Sequence, residues 1–316
     1  MPFETVGSPA MWAGFILFVL AMLAVDLGIF HRKAHEIRLR EAAAWSAVWV
    51  ALAIVFNIGV HALFGPERAL EFTAGYLIEK ALAVDNIFVF VVIFAAFRVP
   101  AIYQHRVLFW GVLGALVMRA AFILAGGAFL QRFHWAIYVF GGILALTGIK
   151  LLLQRNHEMH PERNPLVKAF QKIFPVTPDF VGDKFTVVRN GRRFATPLLL
   201  ALVAVEVTDL IFAVDSIPAI FAITTDPFIV FTSNIFAILG LRSLYFLLAG
   251  VIEKFVYLKV GLSFVLIFVG AKMLLMDVYK IPIGASLAVI ASILGLSIAA
   301  SFLKRPGASL PPAVKE

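Results

Sequence analysis

The stretch "EKALAVDNIFVF" at residues 79–90 places charged and polar side chains inside an otherwise apolar run, and "DLIFAVDSIPAI" at residues 209–220 does so again. When the two are aligned at an offset of 130 residues, Ala-Val-Asp coincides, and an acidic residue precedes it at the same place. An ionised side chain at the centre of a bilayer costs roughly 2.5–3.5 kcal/mol. Repeated acids in an apolar setting therefore indicate a functional site within a membrane.

The apolar setting of these two stretches extends over the whole chain. Of its 316 residues, 62% are hydrophobic and 15% are charged, whereas soluble domains have about a quarter of charged residues. Apolar blocks of roughly 20 residues recur along the chain, and each is long enough as a helix to cross the hydrocarbon core. The sequence predicts an all-α fold, a polytopic membrane helix bundle.

We predict about nine transmembrane helices that form a single domain. They are expected at residues 11–30, 42–64, 70–97, 106–131, 134–154, 196–221, 228–249, 255–276 and 281–303. Residues 155–195 are predicted to form a solvated cytoplasmic loop, with contact to lipid headgroups as the alternative, and residues 304–316 a cytoplasmic tail. Within the loop, "DKFTVVRNGRRFAT" alternates around an Asn-Gly pair and predicts a small hairpin.

The distribution of Lys and Arg predicts the orientation of the chain. The more basic loops all fall on one side of the nine spans, and this side is cytoplasmic by the positive-inside rule. The amino terminus is then outside and the carboxyl terminus cytoplasmic. The net charge of +8 is explained by this topology, so we expect a lipid bilayer and no nucleic acid as partner. The sequence carries no signal for an oligomeric state.

A second echo suggests an internal repeat. "LTGIKLLLQ" at residues 146–154 matches "FVGAKMLLM" at residues 268–276 in Gly-x-Lys-x-Leu-Leu, at an offset of 122. The repeated unit is three spans long, and because three is odd, the second unit enters the membrane from the opposite side. This is a 3+3 inverted repeat, which places a binding site between spans three and six. Chance similarity between apolar helices is the alternative.

The chemistry of this site is predicted from oxygen donors. The chain has no cysteine, and neither span contains a deep histidine, so the ligand types suit Mg²⁺, Ca²⁺ or Mn²⁺. We also expect Pro218 to interrupt span six and free backbone carbonyls. The predicted metal ligands are Glu79, Asp85, Asn86, Glu206, Asp209, Asp215 and Ser216. The cation would be a substrate, with no resident cofactor, and protons binding to the carboxylates could drive its release.

Two other classes of function compete with transport. In the first, the acids are structural and form ion pairs in a membrane scaffold, with candidate partners Lys80, Arg119, Lys150, Arg242 and Lys272. In the second, the chain is a membrane enzyme, but no Ser-His pairing, zinc-protease spacing, phosphate-binding glycine loop or cofactor fingerprint is found. Asp26 also closes an Ala-Val-Asp, but it lies near the end of span one and is interpreted as interfacial. We therefore expect a protein that is not an enzyme.

The quoted motifs, together with "DLGIFHRKAHEI", "YQHRVLFWGVLGALVMRAAFI" and "RFHWAIYVFGGILALTGIKLLL", resemble the TerC family, named for tellurium resistance. This family includes the Alx-type manganese exporters of the wider LysE-like transporter group. The resemblance implies a protein of the bacterial inner (plasma) membrane, with its amino terminus periplasmic, that exports Mn²⁺ through the intramembrane acids of the two motifs. The competing scaffold would then belong to a metal- or tellurite-stress complex.

Overall fold

The computed structural model describes residues 5–30, 39–133, 135–153, 164–189, 191–249 and 257–303. In this part of the chain there are ten helices and two short strands. The helices are α1 (Pro9–Phe30), α2 (Leu39–Ala96), α3 (Ala101–Arg132), α4 (Ala136–Leu153), α5 (Pro165–Ile173), α6 (Pro197–Phe221), α7 (Pro227–Leu239), α8 (Leu241–Leu248), α9 (Leu258–Leu274) and α10 (Ile283–Leu303). The strands are β1 (Thr186–Arg189) and β2 (Arg192–Ala195).

The predicted all-helical membrane bundle is confirmed. Within the described ranges, five helices are long and apolar enough to cross a membrane, or six if α7 and α8 are one bent span. The five are α2, α3, α4, α6 and α10. Each of the nine predicted ranges overlaps a described helix, but the count of nine spans stays a prediction.

Helix α2 consists of two segments that meet at Gly65. As one straight rod its 58 residues would reach about 87 Å, far beyond the ~30 Å hydrocarbon core. Gly65 has φ 85° and ψ 177°, a conformation that a residue with a Cβ rarely adopts. Pro66 follows and suits the first turn of the second segment. The Asn57 amide then donates to the Thr73 hydroxyl at 2.8 Å, which ties the two segments together.

The break predicted in span six is not found where the sequence suggested it. Helix α6 continues through Pro218 and ends at Phe221, so the expectation that Pro218 interrupts the span is wrong. Pro218 has no N–H to donate to the carbonyl oxygen of residue 214, but the loss of this one hydrogen bond does not end the helix, which continues for three more residues. Span seven is bent instead, because α7 and α8 meet at Gly240 with an angle of 41°.

The helices α2, α3, α6 and α7 pack together in the centre of the bundle, where the candidate site described below lies. The second segment of α2 packs against α6 and α7, and α3 packs against the same two helices. Aromatic rings fill the neighbouring core, where Phe236 lies 4.9 Å from Phe56 and 5.7 Å from Phe15 between ring centroids. Through Phe15, α1 joins this core.

Helices α4 and α9 form a close pair in which glycine allows backbone contact. A Cβ on Gly148 would lie 2.7 Å from the carbonyl oxygen of Ser263. A Cβ on Gly270 would lie 2.6 Å from the carbonyl oxygen of Gly141. Adding 122 to the number of Gly148 gives Gly270, and adding 122 to that of Gly141 gives Ser263. The two contacts therefore join the same pair of equivalent positions, with the roles of α4 and α9 exchanged.

Each of these two glycines has a second backbone contact in the partner helix, and these contacts are related by the same offset of 122 residues. The Gly148 position lies against Ile267, whose backbone nitrogen would be 2.9 Å from an added Cβ. The Gly270 position lies against Ala145, whose backbone nitrogen would be 2.6 Å away. Ala145 and Ile267 are also 122 residues apart. Reciprocal contacts of this kind are typical of a two-fold axis.

The predicted hairpin in the polar loop is confirmed. Strands β1 and β2 pair antiparallel, with Arg189 opposite Arg192. Gly191 has φ 74°, as a tight hairpin turn requires, and Asn190 lies outside the described residues. The loop is attached to α3 by an ion pair between Arg106 and Asp183.

Asp226 joins the amino-terminal segment to the start of α7. Its Oδ1 accepts hydrogen bonds from the backbone of Phe228 at 2.9 Å and from the Thr5 hydroxyl at 3.0 Å, and its Oδ2 accepts from Val6 N at 2.7 Å. Loss of a helix N-cap costs about 0.5–2 kcal/mol. We expect Asp226→Ala to lower the melting temperature of the purified protein.

The matched variant is Asp226→Asn, whose amide oxygen still accepts hydrogen bonds. It should melt closer to the unmodified chain than Asp226→Ala does, as followed by tryptophan fluorescence on heating. Equal melting of Asp226→Ala and the unmodified chain would show that this contact does not stabilise the fold.

Candidate ion-binding site

Four helices bring polar side chains into one buried cluster in the core of the bundle. Each of these side chains belongs to a residue that is at most 2% exposed. We call this set the central cluster: Glu79 and Asn86 from α2, Arg119 from α3, Asp209 and Ser216 from α6, and Asn234 from α7.

The guanidinium of Arg119 lies at the middle of the central cluster. Its Nη1 forms an ion pair with Glu79 Oε1, and its Nη2 lies 3.3 Å from Asp209 Oδ1. Its Nε also donates to Asp209 Oδ2 at 3.5 Å. Glu79 and Asp209 are the first acids of the two aligned motifs, so a single cation bridges the equivalent positions of both.

Neutral side chains complete the surroundings of Arg119. Nη1 donates to Ser216 Oγ and to Asn234 Oδ1, each at 3.3 Å. The amide nitrogen of Asn234 donates to Glu79 Oε2 at 3.2 Å. Asn234 therefore holds both members of the Arg119–Glu79 pair in position.

Asn86 supplies an oxygen that has no hydrogen-bond partner within the described structure. Its Nδ2 donates to Asp209 Oδ1 at 3.4 Å, while its Oδ1 is buried and unpaired. A buried polar atom left without a partner costs about 1–3 kcal/mol. In a cluster of oxygen donors, such an atom is available to a cation.

The central cluster is negatively charged when all its groups are ionised, since two carboxylates face one guanidinium. More acids lie nearby in sequence. Glu206 precedes Asp209 by one helical turn and is half-buried, and a Cβ on Gly114 of α3 would overlap its carboxylate. Glycine at position 114 thus leaves the room that this acid needs.

The predicted ligand set is only partly brought together. Glu79, Asn86, Asp209 and Ser216 lie in the central cluster, whereas Glu206 and the half-buried Asp85 are not among its hydrogen-bonded members. The side chain of Asp215, like that of Asp26, lies outside the described structure. Among described residues, no three Asp, Glu, His or Cys side chains are grouped closely enough to hold a metal ion.

The predicted ion-pair partners have different environments. Arg119 pairs with both acids, as the scaffold alternative expected. Lys80 instead donates to the carbonyl oxygen of Ala237 at 2.9 Å and lies over the ring of Tyr76. Lys150 is exposed at the end of α4, and Arg242 is buried in α8.

Lys272 lines a second polar feature, a cavity of about 370 Å³ at one end of the bundle. Its charged lining also includes Glu67, Arg68, Glu71 and Lys280. Glu71 accepts hydrogen bonds from Arg68 at 2.8 Å and from Thr224 at 2.7 Å. Glu71 precedes Glu79 by eight residues on α2, or about 12 Å along the axis. We call this feature the end cavity.

Sequence reasoning missed Asn234. The signal was available, because "TSN" at residues 232–234 interrupts the apolar α7 with three polar residues that are all fully buried. Buried amides in a membrane helix are typically hydrogen-bonded to other helices.

Comparisons with known proteins give a consistent result. Residues 64–308 match the model of the family described as "Integral membrane protein TerC family". An uncharacterized membrane protein of Myxococcus xanthus is 64% identical over 302 residues, which cover 96% of this chain and 95% of that protein. An Escherichia coli K12 protein, provisionally named membrane-bound redox modulator Alx, is 50% identical, with 92% of this chain and 94% of that protein covered. A Rickettsia felis membrane protein is 42% identical, with 93% and 98% covered. No solved structure matches.

Proposed function

Because the chain belongs to the TerC family of integral membrane proteins, we propose that it is a secondary transporter that exports a divalent cation from the cytoplasm, with Mn²⁺ as the first candidate. The observation that carries this proposal is the convergence of Glu79 and Asp209, one acid from each aligned motif, in the buried centre of the bundle. Further acids flank them, and the excess of negative charge calls for a cation or protons.

The proposed architecture is a 3+3 inverted repeat within nine spans. The reciprocal glycine contacts of α4 and α9 support it, since they exchange residues at the offset of 122 that the sequence echo predicts. In an inverted repeat, equivalent helices of the two units face each other around the binding site. The contact of α2 with α6 follows this pattern.

In this proposal, the guanidinium of Arg119 occupies the position at which the transported ion would bind. A doubly charged cation would neutralise the two carboxylates, so Arg119 would have to withdraw when the cation binds. Glu79, Asp209, Ser216 and the unpaired oxygen of Asn86 would then supply oxygen ligands, which suit a hard cation. Asp85 and Asp215 remain proposed ligands on the basis of the sequence.

The predicted orientation suggests a route for the cation. Glu206 lies on the cytoplasmic side of Asp209 if α6 enters the membrane from the cytoplasm. The end cavity, with Glu71, lies towards the start of the second segment of α2, which is its proposed periplasmic end. We propose that the cation passes Glu206, binds in the central cluster and leaves through the end cavity, with protons as candidate counter-ions.

The second candidate is a scaffold protein of a metal- or tellurite-stress complex. The ion pairs of Arg119 favour it, because they satisfy both acids without a metal ion. The name of the Escherichia coli relative gives that protein a redox role. The chain has no cysteine, so a redox effect cannot come from a thiol of its own in either candidate. Under the transport proposal, it would follow from the exported cation.

The test is the cytosolic metal content of cells that express the chain, measured separately for Mn²⁺, Ca²⁺ and Mg²⁺. We expect the unmodified chain to lower the content of Mn²⁺ and Asp209→Asn to abolish this effect, because a neutral amide attracts the cation far less. The asparagine still accepts hydrogen bonds, and Arg119 keeps its pair with Glu79, so the abundance of the protein should change little.

Asp179→Asn is the matched control, since Asp179 is an exposed acid of the polar loop, outside both the central cluster and the lining of the end cavity. It should lower the metal content as the unmodified chain does. Unchanged content of every ion in the presence of the unmodified chain would refute the transport proposal and leave the scaffold.

A further inference from the structure

Helix α5 is a short helix in the polar loop, built from clear local signals. Asn164 precedes it, and its side-chain oxygen accepts a hydrogen bond from Leu166 N at 2.9 Å. Pro165 occupies the first turn, where a missing N–H does no harm. The helix ends at Ile173, after nine residues. Its start is therefore fixed by its own sequence.

One face of α5 is apolar and largely uncovered. Leu166, Phe170 and Ile173 follow at i, i+4 and i+7, so they share a face. Leu166 is 54% and Ile173 is 73% exposed. Val167, at the edge of this face, is fully buried and fixes the rotation of the helix. Because Val167 anchors the helix, the apolar face cannot turn inward to hide from its surroundings.

The surroundings of α5 are strongly basic. Lys168 and Lys172 lie outside the apolar face and are exposed. Residues 164–196 contain six cations, Lys168, Lys172, Lys184, Arg189, Arg192 and Arg193, and two acids, Asp179 and Asp183. Asp183 is paired with Arg106 of α3. The loop therefore presents excess positive charge beside the apolar face.

The position of α5 indicates what covers this face. Helix α5 packs against α6, a membrane-spanning candidate that begins at Pro197, directly after β2. An apolar face with Lys residues on the opposite side of the helix, beside the start of a membrane span, matches an interfacial amphipathic helix. Basic segments next to a span are attracted to anionic lipids of the cytoplasmic leaflet.

We propose that α5 lies on the cytoplasmic membrane surface, with Leu166 and Ile173 inserted among the lipids and the basic residues of the loop on anionic headgroups. The occupant of the apolar face is thus the bilayer itself. This proposal is independent of the transported substrate, and it refines the predicted cytoplasmic loop at residues 155–195 by placing this helix on the membrane surface.

The test uses the absence of cysteine from the chain, which makes any introduced cysteine a unique labelling site. Ile173→Cys on the apolar face and Gln171→Cys on the polar side are each labelled with a small environment-sensitive fluorophore. The full-length protein is reconstituted into vesicles of phosphatidylcholine, with or without phosphatidylglycerol. Quenching is measured with a spin label on the lipid chains and with acrylamide in water.

With phosphatidylglycerol present, we expect lipid quenching at position 173 to exceed that at position 171 by about twofold or more, and acrylamide quenching to show the reverse order. Omitting phosphatidylglycerol, or adding Lys168→Gln and Lys172→Gln to the Ile173→Cys chain, should reduce lipid quenching at 173 because headgroup attraction is lost.

Three results would overturn the proposal. Equal lipid quenching at the two positions would mean that the apolar face does not enter the bilayer. Protection of position 173 from both quenchers would mean that protein, such as a second copy of the chain, covers it. Lipid quenching that is unaffected by phosphatidylglycerol would remove the role of the basic residues. Size-exclusion chromatography of each labelled variant establishes that it is folded.

Discussion

Arg119→Met should remove most of the folded protein from the membrane. The methionine fills similar space but leaves Glu79 and Asp209 buried without the cation that bridges them. Removing one partner of a buried ion pair costs about 3–5 kcal/mol, which is a large share of the stability of a typical domain. The measurement is the amount of full-length protein in membranes and its melting temperature after purification.

A combined variant separates lost charge from lost packing. Adding Glu79→Gln and Asp209→Asn to Arg119→Met removes the uncompensated charges, so abundance should recover while metal export stays absent. Arg119→Lys keeps the charge but not the bidentate contact with Asp209. Its abundance in the membrane should therefore lie between that of Arg119→Met and that of the combined variant. Normal abundance and melting of Arg119→Met would contradict the central role of this arginine in the fold.

Gly148→Leu and Gly270→Leu should each disrupt the bundle, and to a similar extent. In both cases the added side chain meets backbone atoms of the partner helix at 2.6–2.9 Å, and backbone cannot move aside as a flexible side chain can. Overpacking typically costs about 1–3 kcal/mol, and we expect the upper part of this range or more. Melting of the purified variants is the measurement.

Gly142→Leu is the matched control, because Gly142 lies on α4 as well and has nothing within 4 Å of an added Cβ. It should melt like the unmodified chain. The proposed repeat requires the two damaging variants to agree, since their contacts are reciprocal. A severe effect of one and none of the other would contradict a two-fold relation between α4 and α9.

The broad fold was predictable because it depends on hydropathy alone. Apolar runs of sufficient length must form helices in a bilayer, where no water satisfies the backbone. Breaks in helices were harder to predict. Gly65 and Pro66 were interpreted as a loop but form a one-residue break, and Pro218 was interpreted as a break but lies within α6. The effect of a proline on a membrane helix depends on how the neighbouring helices support the segment around it, which apolar patterns do not mark.

The site was predictable where the repeat could be used. The aligned motifs gave Glu79, Asn86, Asp209 and Ser216, which the structure brings together. The role of Arg119 was only one of five ion-pair options, because the sequence of α3 does not reveal which face of it meets α2 and α6. Glu206 was expected beside Asp209 as a ligand, yet its carboxylate fits against Gly114, a contact that requires knowledge of the helix packing.

The guanidinium at the centre of the cluster has a consequence for the range of metal levels over which the protein would act. A tethered positive charge competes with any incoming ion, and its local concentration never falls. The apparent affinity for the ion equals its intrinsic affinity multiplied by the fraction of molecules in which the arginine has withdrawn. An exporter built in this way would reach half of its maximal rate at a higher cytosolic metal concentration, so it would relieve an excess and remove little when the metal is scarce.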